Sequence, residues 1–517
     1  MEMFDLLAHR ARVSSDRVAV EDLADGQTYT YAELNERSAR VAAAARSLWG
    51  LLPGDRLAYL GENRAEFFAL LFACAKAEVI LVPLNWRLAE PELLDLLNDC
   101  SPSVLIHTAG FAATAVALQD SDDASFIRVA MDGKSASARC YLTDIAQVSP
   151  DLSPHPLRDP DTPWYLLYTS GTTGRPKGVI QTFRMMMANY FNIGLSISVT
   201  EQDVLLNVLP MFHTAGINLY STSVLLVGGT VLVARGFDAT QALDVLESRA
   251  TLFFAVPAVY QTLLDHPEFS GQRLSGVRSW GCGGAPLSLP VTQRFVAEGI
   301  RVRTGYGMTE TGPGVFLLDE NQVIQCVGSV GKPFLLADVR IVDAQGCDLS
   351  TGDAGEMLIR GPGITPGYWN QPEATRQAID EDGWLHTGDV AKRDAAGNYT
   401  IVDRWKDMYI SGGENVYPAE VEKVLAQHPD IQEVAVIGVP DDRWGEVGQA
   451  FVVTATDCPP PSAEALSSFC RRQLAGYKVP RYFSVMGTLP RNALGKITKQ
   501  VLRQAQQTTQ VDLPCRH

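Results

Sequence analysis

Short apolar, β-prone runs alternate with helical patterns over much of the chain, and this alternation limits the folds that are available. The β-prone runs are residues 164–168, 204–208, 230–234 and 252–256. Helical patterns occur at residues 240–248 and 257–264. Because strands that are linked by helices pair in parallel beneath those helices, the alternation predicts an α/β fold with parallel-type sheets covered by helices.

Two local patterns carry more specific expectations. Thr30 and Glu33 have the spacing of a capping box and predict a helix that continues through Ala45. Residues 223–234 come closest to a continuous apolar span, but a pair of glycines interrupts them. This stretch is too short to cross a membrane and is expected to be a helix end or turn that feeds a strand, so no transmembrane segment is expected.

The pattern of turn-forming and β-prone residues changes near residue 339. Frequent turn signals then separate short β-prone runs, which predicts a compact β subdomain at about 335–403. The last part of the chain combines helical patterns at 418–427 and 462–474 with β-prone runs at 433–439 and 449–455. We therefore expect a large N-terminal domain at 1–403 and a small α+β C-terminal domain at 404–517.

Composition excludes several classes of protein. The chain has 517 residues, 46% of them apolar and 20% charged, so it is neither disordered nor a coiled coil and is long enough for several domains. The formal net charge of −16 makes it a poor non-specific binder of nucleic acid. Residues 471–503 hold eight basic and no acidic residues. They form either a solvated basic face or a surface for a polyanionic ligand such as a nucleotide or coenzyme A.

The cysteines and the N-terminus indicate a cellular location. Nine cysteines are scattered without a CxxC pair, and their number is odd, so neither a disulfide framework nor a zinc site is expected. The N-terminus carries acidic residues and no long apolar segment, so no signal peptide is expected. These features predict a cytoplasmic enzyme of several domains.

The segment 168–179, YTSGTTGRPKGV, is the strongest functional signal in the chain. It follows an apolar strand and holds four hydroxyl residues, three glycines and Lys177 within eleven positions. Glycines let backbone N–H groups approach a phosphate closely, hydroxyl groups add donors, and the lysine adds positive charge. The Walker pattern is absent, and a flexible surface loop is the alternative that residue chemistry alone leaves open.

This segment resembles the phosphate-binding loop of the adenylate-forming superfamily, which contains acyl-CoA synthetases, amino-acid adenylation domains and firefly luciferase. Other segments are similar to that superfamily's motifs and follow in its order: LPMFHTAG at 209–216, GCGGAP at 281–286, GYGMTE at 305–310, TGD at 387–389, VDRWKD at 402–407, SGGEN at 411–415 and PRNALGK at 490–496. The resemblance covers nearly the whole chain, and the ordered set is far more specific than any one motif.

The resemblance implies an ATP site. Its expected residues are Thr169, Ser170, Gly171, Thr172, Thr173, Gly174, Lys177, Gly284, Ala285, Pro286, Tyr306, Gly307, Met308, Asp389 and Arg404. In this set Tyr306 would lay its ring on adenine, Asp389 would accept hydrogen bonds from the ribose hydroxyls, and Arg404 would donate nearby. Without the resemblance, these residues would be a buried core tyrosine, a turn aspartate and a surface arginine.

The resemblance also implies the residues of the first half-reaction, in which a carboxylate attacks the α-phosphorus of ATP. Lys496 would stabilise the negative charge that develops there, although its chemistry alone would fit an exposed lysine. Glu310 is the expected ligand of Mg²⁺, and Thr309 would place a hydroxyl beside the phosphate. His213 would lie at the wall between the acyl pocket and the coenzyme A tunnel, and a core histidine is the alternative.

The motifs resemble most closely those of fatty-acid and feruloyl-type CoA ligases, so a medium- or long-chain fatty acid or a phenylpropanoid acid is expected. The expected pocket residues are His213, Ile217, Asn218, Ser221, Gly305 and Met308. Glycines at 281, 283, 284, 305 and 307 are expected to leave space for a long or flat acyl group. His213 stands where amino-acid adenylation domains commonly have aspartate, which disfavours an amino acid. The 209–216 motif has no arginine for a second carboxylate, which disfavours malonate.

In the second half-reaction a thiol attacks the acyl-adenylate. The resemblance implies that the C-terminal domain is mobile and rotates about a hinge at Lys406 between the two steps. The rotation would withdraw Lys496 and bring the 411–413 segment to the site, where small residues let pantetheine pass close to the backbone. The expected coenzyme A contacts are Ser411, Gly412, Gly413, Lys478 and Arg481.

We therefore expect an ATP-dependent carboxylate–CoA ligase that needs Mg²⁺ and releases AMP and pyrophosphate. Three alternatives stay open: an enzyme that loads a carrier protein instead of coenzyme A, a luciferase-type oxygenase, and a catalytically silent nucleotide-binding scaffold. No nucleic-acid partner is expected. The sequence does not fix the oligomeric state, which leaves a homodimer open.

Overall fold

The computed structural model describes residues 3–121, 125–133, 139–153, 159–169, 176–404, 407–411, 414–441, 444–455, 460–491 and 496–508, with the backbone alone at 414–415 and 506–508. The chain divides into two compact units. Unit 1 comprises Met1–Val339 and Ile359–Leu385, and unit 2 comprises Arg340–Leu358 and His386–His517. The expected domain boundary between residues 403 and 404 lies inside unit 2, at the end of a strand.

The strands are numbered in chain order. The first thirteen are β1 (Val18–Asp22), β2 (Thr28–Thr30), β3 (Arg56–Leu60), β4 (Ile80–Pro83), β5 (Val104–His107), β6 (Ile127–Ala130), β7 (Arg139–Cys140), β8 (Pro163–Thr169), β9 (Lys177–Thr182), β10 (Val204–Asn207), β11 (Thr230–Val233), β12 (Leu252–Ala255) and β13 (Ser279–Cys282). The others are β14 (Val302–Gly307), β15 (Gly314–Leu317), β16 (Lys332–Pro333), β17 (Asp338–Val342), β18 (Ala354–Arg360), β19 (Leu385–Arg393), β20 (Tyr399–Arg404), β21 (Tyr409–Ser411), β22 (Glu414–Val416), β23 (Ile431–Asp441), β24 (Gly445–Thr454) and β25 (Tyr482–Val485).

The helices are also numbered in chain order. They are α1 (Leu6–Val13), α2 (Tyr31–Ser47), α3 (Glu66–Ala77), α4 (Glu90–Cys100), α5 (Ala112–Gln119), α6 (Tyr141–Ala146), α7 (Phe183–Asn189), α8 (Ser221–Val227), α9 (Ala239–Ser248), α10 (Pro257–Asp265), α11 (Leu289–Ala297), α12 (Pro372–Ala378), α13 (Pro418–Leu425), α14 (Ala463–Arg471) and α15 (Lys499–Thr508). Within the described ranges, no helix combines the length and the apolar character that crossing a bilayer would need.

Two large, mainly parallel sheets form unit 1. Over the described residues, one sheet has seven strands in the order β7-β6-β5-β3-β4-β8-β9, with β9 antiparallel to β8 at its edge. The other has nine strands in the order β16-β15-β14-β13-β12-β10-β11-β1-β2 and is parallel from β14 to β1. The predicted α/β class with parallel sheets is therefore confirmed.

Local sequence explains why these elements begin and end where they do. Strands β5 and β12 are buried at every position, as expected for parallel strands that are covered on both faces. Thr30 and Glu33 form the predicted capping box at the start of α2, with the Thr30 N–H donating to Glu33 Oε2 at 2.8 Å. Gly228 ends α8 at φ 95°, which turns the chain into β11. Residues 223–234 thus form the predicted helix end and strand.

Hydrophobic clusters cover both sheets of unit 1. One cluster joins Leu81 of the seven-stranded sheet and Leu252 of the nine-stranded sheet with side chains of α2 and α3. A second packs α9, α10 and α11 on the nine-stranded sheet, and a third packs α4 and α5 on the seven-stranded sheet. The strands of both sheets are therefore anchored in closely packed hydrophobic cores.

Unit 2 contains most of a four-stranded sheet and a five-stranded sheet, as far as the described ranges extend. The four strands have the order β17-β18-β19-β20, and the five-stranded sheet has the order β22-β21-β24-β23 with β25 beside β24. Alternate residues of β23 face opposite sides: Val434 and Val436 pack with α13 and α14, whereas Ala435 and Ile437 pack with α15. Helices thus cover both faces of the five-stranded sheet.

Candidate functional site

The predicted phosphate loop connects β8 to β9 in unit 1. Thr169 ends β8, Lys177 begins β9, and the two are direct partners in the antiparallel pairing of these strands. Five of the expected ATP contacts lie outside the described residues: Ser170, Gly171, Thr172, Thr173 and Gly174. The hairpin register therefore fixes both ends of the loop at the same edge of the seven-stranded sheet.

Glu310 lies on a short turn, Thr309–Thr311, directly after β14, and is only 8% exposed. The Tyr368 hydroxyl donates to Glu310 Oε1 at 3.0 Å, and the Lys177 Nζ lies 4.7 Å from the centre of the Tyr368 ring. The contact between Tyr368 and Glu310 was not predicted, because nothing in the sequence around Gly367 and Tyr368 indicates a partner 58 positions away.

Glu310 provides a suitable oxygen ligand for Mg²⁺. The described part of the chain has no cluster of three or more His, Cys, Asp or Glu side chains that could enclose a metal ion. Mg²⁺ is commonly held by one or two carboxylates together with substrate phosphates rather than by an all-protein cage. A buried carboxylate that accepts the Tyr368 hydroxyl on Oε1, on a turn that contacts the strand β9, therefore fits the magnesium that the family resemblance implies.

The expected adenine contacts follow two neighbouring parallel strands. Strands β13 and β14 pair in parallel, so the segments after their carboxyl ends reach the same edge of the nine-stranded sheet. Gly284, Ala285 and Pro286 form an exposed turn after β13, and Gly284 has φ 80°. Tyr306 near the end of β14 is half-buried, and its ring packs edge-on against Phe316 at 5.9 Å between centroids. An aromatic residue and an exposed glycine turn thus lie at the carboxyl ends of neighbouring strands.

The expectation that five glycines leave acyl space is wrong for four of them, because neighbouring atoms fill the direction a side chain would take. A Cβ at residue 281 would lie 2.5 Å from the Phe254 ring, and one at residue 283 would lie 2.8 Å from it. At residues 305 and 307 it would meet the backbone oxygens of Phe316 and Pro313 at 2.9 and 1.9 Å. Only Gly284 has open surroundings, with the nearest atom 3.7 Å away. The other glycines serve close packing.

Three of the expected acyl-pocket residues are fully buried. Ile217 belongs to the hydrophobic core. Asn218 Nδ2 donates to the Gly312 oxygen at 2.5 Å, and the Ser221 hydroxyl donates to the Gly216 oxygen at 3.0 Å. These contacts use the side chains to fix the 215–221 segment.

His213 and Met308 are half-buried, as is Gly305. The His213 ring packs on Phe212 with 4.6 Å between centroids. Phe212 is in turn in edge-on contact with Trp86 at 6.4 Å. His213 therefore belongs to an aromatic group at the start of the 213–221 segment, and its role at an acyl pocket stays a prediction.

The two residues that are expected to hold the ribose, Asp389 and Arg404, are neighbours in unit 2. Asp389 of β19 and Arg404 of β20 are direct cross-strand partners, and Asp389 Oδ1 lies 2.5 Å from Arg404 Nε. The Asp389 side chain is 3% exposed, whereas that of Arg404 is 48% exposed. The Asp389 N–H donates to the Thr387 hydroxyl at 3.0 Å, which fixes the TGD turn. A buried carboxylate is therefore presented beside an exposed guanidinium.

Lys496 lies within electrostatic range of this pair. Burial of its ammonium group and the positive charge of Arg404 lower the pKa of Lys496, while Asp389 raises it. The residue as a whole stays exposed. The structure thus brings together two motifs that are more than one hundred residues apart, and it makes the lysine responsive to the charges of its neighbours.

The expected coenzyme A contacts are only partly described. Lys406, Gly412 and Gly413 lie outside the described residues, and Ser411 is buried at the end of β21. Lys478 Nζ lies 2.7 Å from Glu420 Oε2, and Arg481 Nη1 lies 2.8 Å from Asp441 Oδ2. Both cations already have acidic partners in unit 2, so the structure gives no support to their predicted role with the coenzyme's phosphates.

Comparisons with known proteins agree with these motifs. The family profile described as AMP-binding enzyme matches residues 7–369, and the profile described as AMP-binding enzyme C-terminal domain matches residues 420–496. A feruloyl-CoA synthase from Amycolatopsis sp is 41% identical over 495 residues, which cover 96% of this chain and 97% of the relative. A long-chain-fatty-acid–CoA ligase from Mycobacterium tuberculosis is 36% identical over 506 residues, 98% of each chain. O-succinylbenzoate coenzyme A synthetase from Bacillus subtilis, solved with ATP and a magnesium ion, is 31% identical with a TM-score of 0.85, over 97% of this chain and 100% of that one.

Proposed function

The chain belongs to the AMP-binding enzyme family, and from that premise we propose that it is an ATP-dependent carboxylate–CoA ligase. In the first step a carboxylate oxygen bonds to the α-phosphorus of ATP. The bond between the α-phosphorus and the oxygen that bridges to the β-phosphorus breaks, and pyrophosphate leaves. In the second step the coenzyme A sulfur bonds to the acyl carbon, AMP leaves, and the thiol proton passes to solvent. The products are acyl-CoA, AMP and pyrophosphate.

One observation carries this proposal: strand β9, which leaves the phosphate loop, lies against the turn that holds Glu310. Gln181 Nε2 of β9 donates to the Thr309 oxygen at 2.9 Å. The Thr365 N–H donates to the backbone carbonyl oxygen of Glu310 at 2.9 Å. The Thr365 hydroxyl donates to the backbone carbonyl oxygen of Ile180 in β9 at 2.6 Å. This contact supports the proposal, because nucleotidyl chemistry needs a carboxylate for a cation close to the groups that bind the phosphates.

We propose that the nucleotide is bound by residues with separate tasks. Tyr306 stacks on adenine, while Asp389 and Arg404 hold the ribose. Lys177 and the loop hydroxyls bind the phosphates, and Glu310 holds Mg²⁺. When bound, the metal ion neutralises phosphate charge and leaves the carboxylate substrate free to approach the α-phosphorus.

Lys496 has the role of stabilising charge in the adenylation step of this proposal. Its cation would oppose the negative charge at the five-coordinate phosphorus, where a preorganised donor is most effective. We propose that residues 404–517 form a mobile body with a hinge at Lys406. Before the second step, rotation of this body would withdraw Lys496 from the site and bring in the 411–413 segment, whose small residues would admit pantetheine.

We propose that the acid is a phenylpropanoid such as ferulate, or a medium- or long-chain fatty acid. The names of the two relatives support these classes, and the higher identity belongs to the feruloyl-CoA synthase. The aromatic group of buried Phe212 and half-buried His213 and Trp86 would suit an aryl or an alkyl group equally. A direct comparison of acids must therefore decide between the two classes.

The test is pyrophosphate release by the full chain with ATP and Mg²⁺, with and without coenzyme A. The acids are acetate, octanoate, palmitate, benzoate, 4-coumarate, ferulate and malonate. Release that rises with coenzyme A for ferulate, 4-coumarate, octanoate or palmitate, together with the acyl-CoA product, supports the proposal and names the acid. Release that ignores coenzyme A while acyl-AMP accumulates would indicate a carrier-protein acceptor. Absence of release with every acid would contradict the proposal.

We further propose that the enzyme acts in the cytoplasm, where ATP and coenzyme A are both supplied. The free cysteines among the described residues, such as the exposed Cys347, support a reducing compartment. A homodimer is the assembly that we propose to test first. Sedimentation of the purified chain would distinguish it from a monomer.

A further inference from the structure

Tyr368 connects the two charged residues that the proposed function assigns to the phosphates and to the metal ion. Its hydroxyl donates to Glu310 Oε1 at 3.0 Å. The Lys177 Nζ lies 4.7 Å from the centre of the same ring, close enough for a cation–π interaction. One aromatic side chain therefore contacts both the first residue of β9 and the carboxylate on the turn after β14.

The backbone around Tyr368 is held on both sides. The Trp369 N–H donates to the Gly178 oxygen at 2.7 Å, and the Ile180 N–H donates to the Gly367 oxygen at 3.1 Å, so this segment pairs with β9. The Tyr368 N–H donates to the Thr375 hydroxyl at 2.9 Å. These bonds restrict the position of the ring, so its hydroxyl remains beside Glu310.

The hydrogen bond to Glu310 has a defined direction. The Tyr368 hydroxyl is the donor and Glu310 Oε1 is the acceptor, because a carboxylate oxygen can only accept. A carboxylate that accepts this bond on Oε1 can offer its other oxygen to a metal ion. Losing a partner that orients a ligating side chain in this way typically weakens metal affinity by about 10- to 100-fold.

We propose that Tyr368 is a positioning residue that fixes the Glu310 carboxylate for Mg²⁺ and sets its spacing from Lys177. This inference rests on the proposed function, in which Glu310 is the metal ligand. A structural role alone would affect only the stability of the fold. A positioning role would also change the affinity for the divalent cation.

The test compares Tyr368→Phe with the unchanged full chain and with Tyr29→Phe as the matched control. Tyr29 also donates its hydroxyl to a buried glutamate, Glu66, at 2.7 Å, but on a different part of unit 1. Binding of Mn²⁺ to the enzyme–ATP complex is followed by electron paramagnetic resonance, and the melting temperature is measured for each variant. We expect Tyr368→Phe to weaken Mn²⁺ binding about tenfold or more and Tyr29→Phe to leave it unchanged.

A double-variant cycle shows whether Tyr368 acts through Glu310. In the Glu310→Gln background, Tyr368→Phe should have little further effect on Mn²⁺ affinity, because the group that it orients is already altered. Unchanged Mn²⁺ affinity in a folded Tyr368→Phe variant would overturn the inference, as would equal effects in the two backgrounds. If Tyr368→Phe fails to fold, the cycle is completed with Tyr368→His, which can retain a donor and should restore part of the affinity. Failure of that rescue would also overturn it.

The two proposals fail in different ways. If no acid supports pyrophosphate release but Tyr368→Phe still weakens Mn²⁺ binding, the ligase proposal fails and the positioning role stands. If release occurs with normal dependence on Mg²⁺ in Tyr368→Phe, the ligase proposal stands and the positioning role fails.

Discussion

Lys499 is predicted to stabilise unit 2 in a way that depends on pH. It begins α15, and its Nζ lies 2.8 Å from Glu422 Oε1 on α13. Glu422 Oε1 also accepts the Val436 N–H at 2.7 Å, and the side chains of Lys499 and Glu422 are 15% and 22% exposed. Lys499→Met would therefore leave a mostly buried carboxylate with one neutral donor in place of its cation.

The expected loss follows from the burial of this pair. Breaking a fully buried ion pair costs about 3–5 kcal/mol, and the residual exposure of both side chains reduces this to about 2–3 kcal/mol. The loss should appear as a drop of about 30- to 150-fold in the hydrogen-exchange protection of α13 and α15 amides. Exchange measured by mass spectrometry and corrected for intrinsic rates gives this value without assuming two-state unfolding of the whole chain.

The pH dependence has a defined sign. Burial raises the pKa of Glu422 above its ordinary value of 4.5, and Lys499 opposes that rise. The folded state therefore binds a proton more tightly than the unfolded state, and the stability gained by protonation is lost as pH rises through the folded pKa. Lys499→Met raises this pKa further. The variant should lose most at pH 8 and little near pH 4.5, where a neutral carboxyl group needs no counter-ion.

Two variants test the reasoning. Lys423→Met removes an exposed lysine from α13, the helix that carries Glu422. It should leave the hydrogen-exchange protection nearly unchanged at pH 8 and at pH 4.5. Glu422→Gln combined with Lys499→Met should be more stable at pH 8 than Lys499→Met alone. Equal losses for Lys499→Met and Lys423→Met, or a loss of Lys499→Met that does not change with pH, would refute the role of the buried carboxylate.

Three further predictions concern the reaction. Lys496→Ala should reduce adenylation by about 3–4 kcal/mol of transition-state stabilisation and spare thioester formation from preformed acyl-adenylate. Separate assays of the two half-reactions check this, and equal loss in both would contradict it. Arg404→Gln should move the alkaline limb of the pH profile for ATP–pyrophosphate exchange to higher pH, and Asp389→Asn should move it to lower pH, because these neighbours lower and raise the pKa of Lys496 respectively. Shifts in the same direction would contradict this assignment. Gly281→Ala should destabilise the fold by about 1–3 kcal/mol through contact with Phe254 and leave the acid preference unchanged. Melting temperature and the acid panel test this, and a changed preference in an equally stable variant would restore the acyl-space interpretation.

Local patterns predicted much of the fold because they depend on neighbouring residues. The capping box at Thr30 and Glu33 and the turn at Gly228 are confirmed, since each is decided within a few positions. The predicted run at 252–256 contains β12, Leu252–Ala255, in which every residue is buried. The sequence did not show that β9 turns back along β8, because strand partners are chosen by contacts across the whole sheet.

In the candidate site, too, contacts between residues that are distant in the sequence were the ones that could not be predicted. Thr169 and Lys177, which flank the predicted phosphate loop, pair across a hairpin, and Asp389 and Arg404 form an ion pair, whereas their roles stay predictions. Tyr368 was missed because its contact with Glu310 joins residues 58 positions apart. The expected space at Gly281 was wrong because the Phe254 ring that fills it comes from another strand.

The hairpin that joins β19 to β20 has a consequence for how this enzyme tolerates insertions. Its turn is closed by the Asp394 N–H, which donates to the Asn398 oxygen at 2.9 Å, and the strands carry a register shift between residues 390 and 391. Side chains alternate between the faces of a sheet, so an added residue in this turn that shifted the register of β20 by one position would carry Arg404 to the face opposite Asp389. The number of residues between the two charges is thus constrained along with the charges themselves, because such a length change would separate the ion pair without altering either side chain.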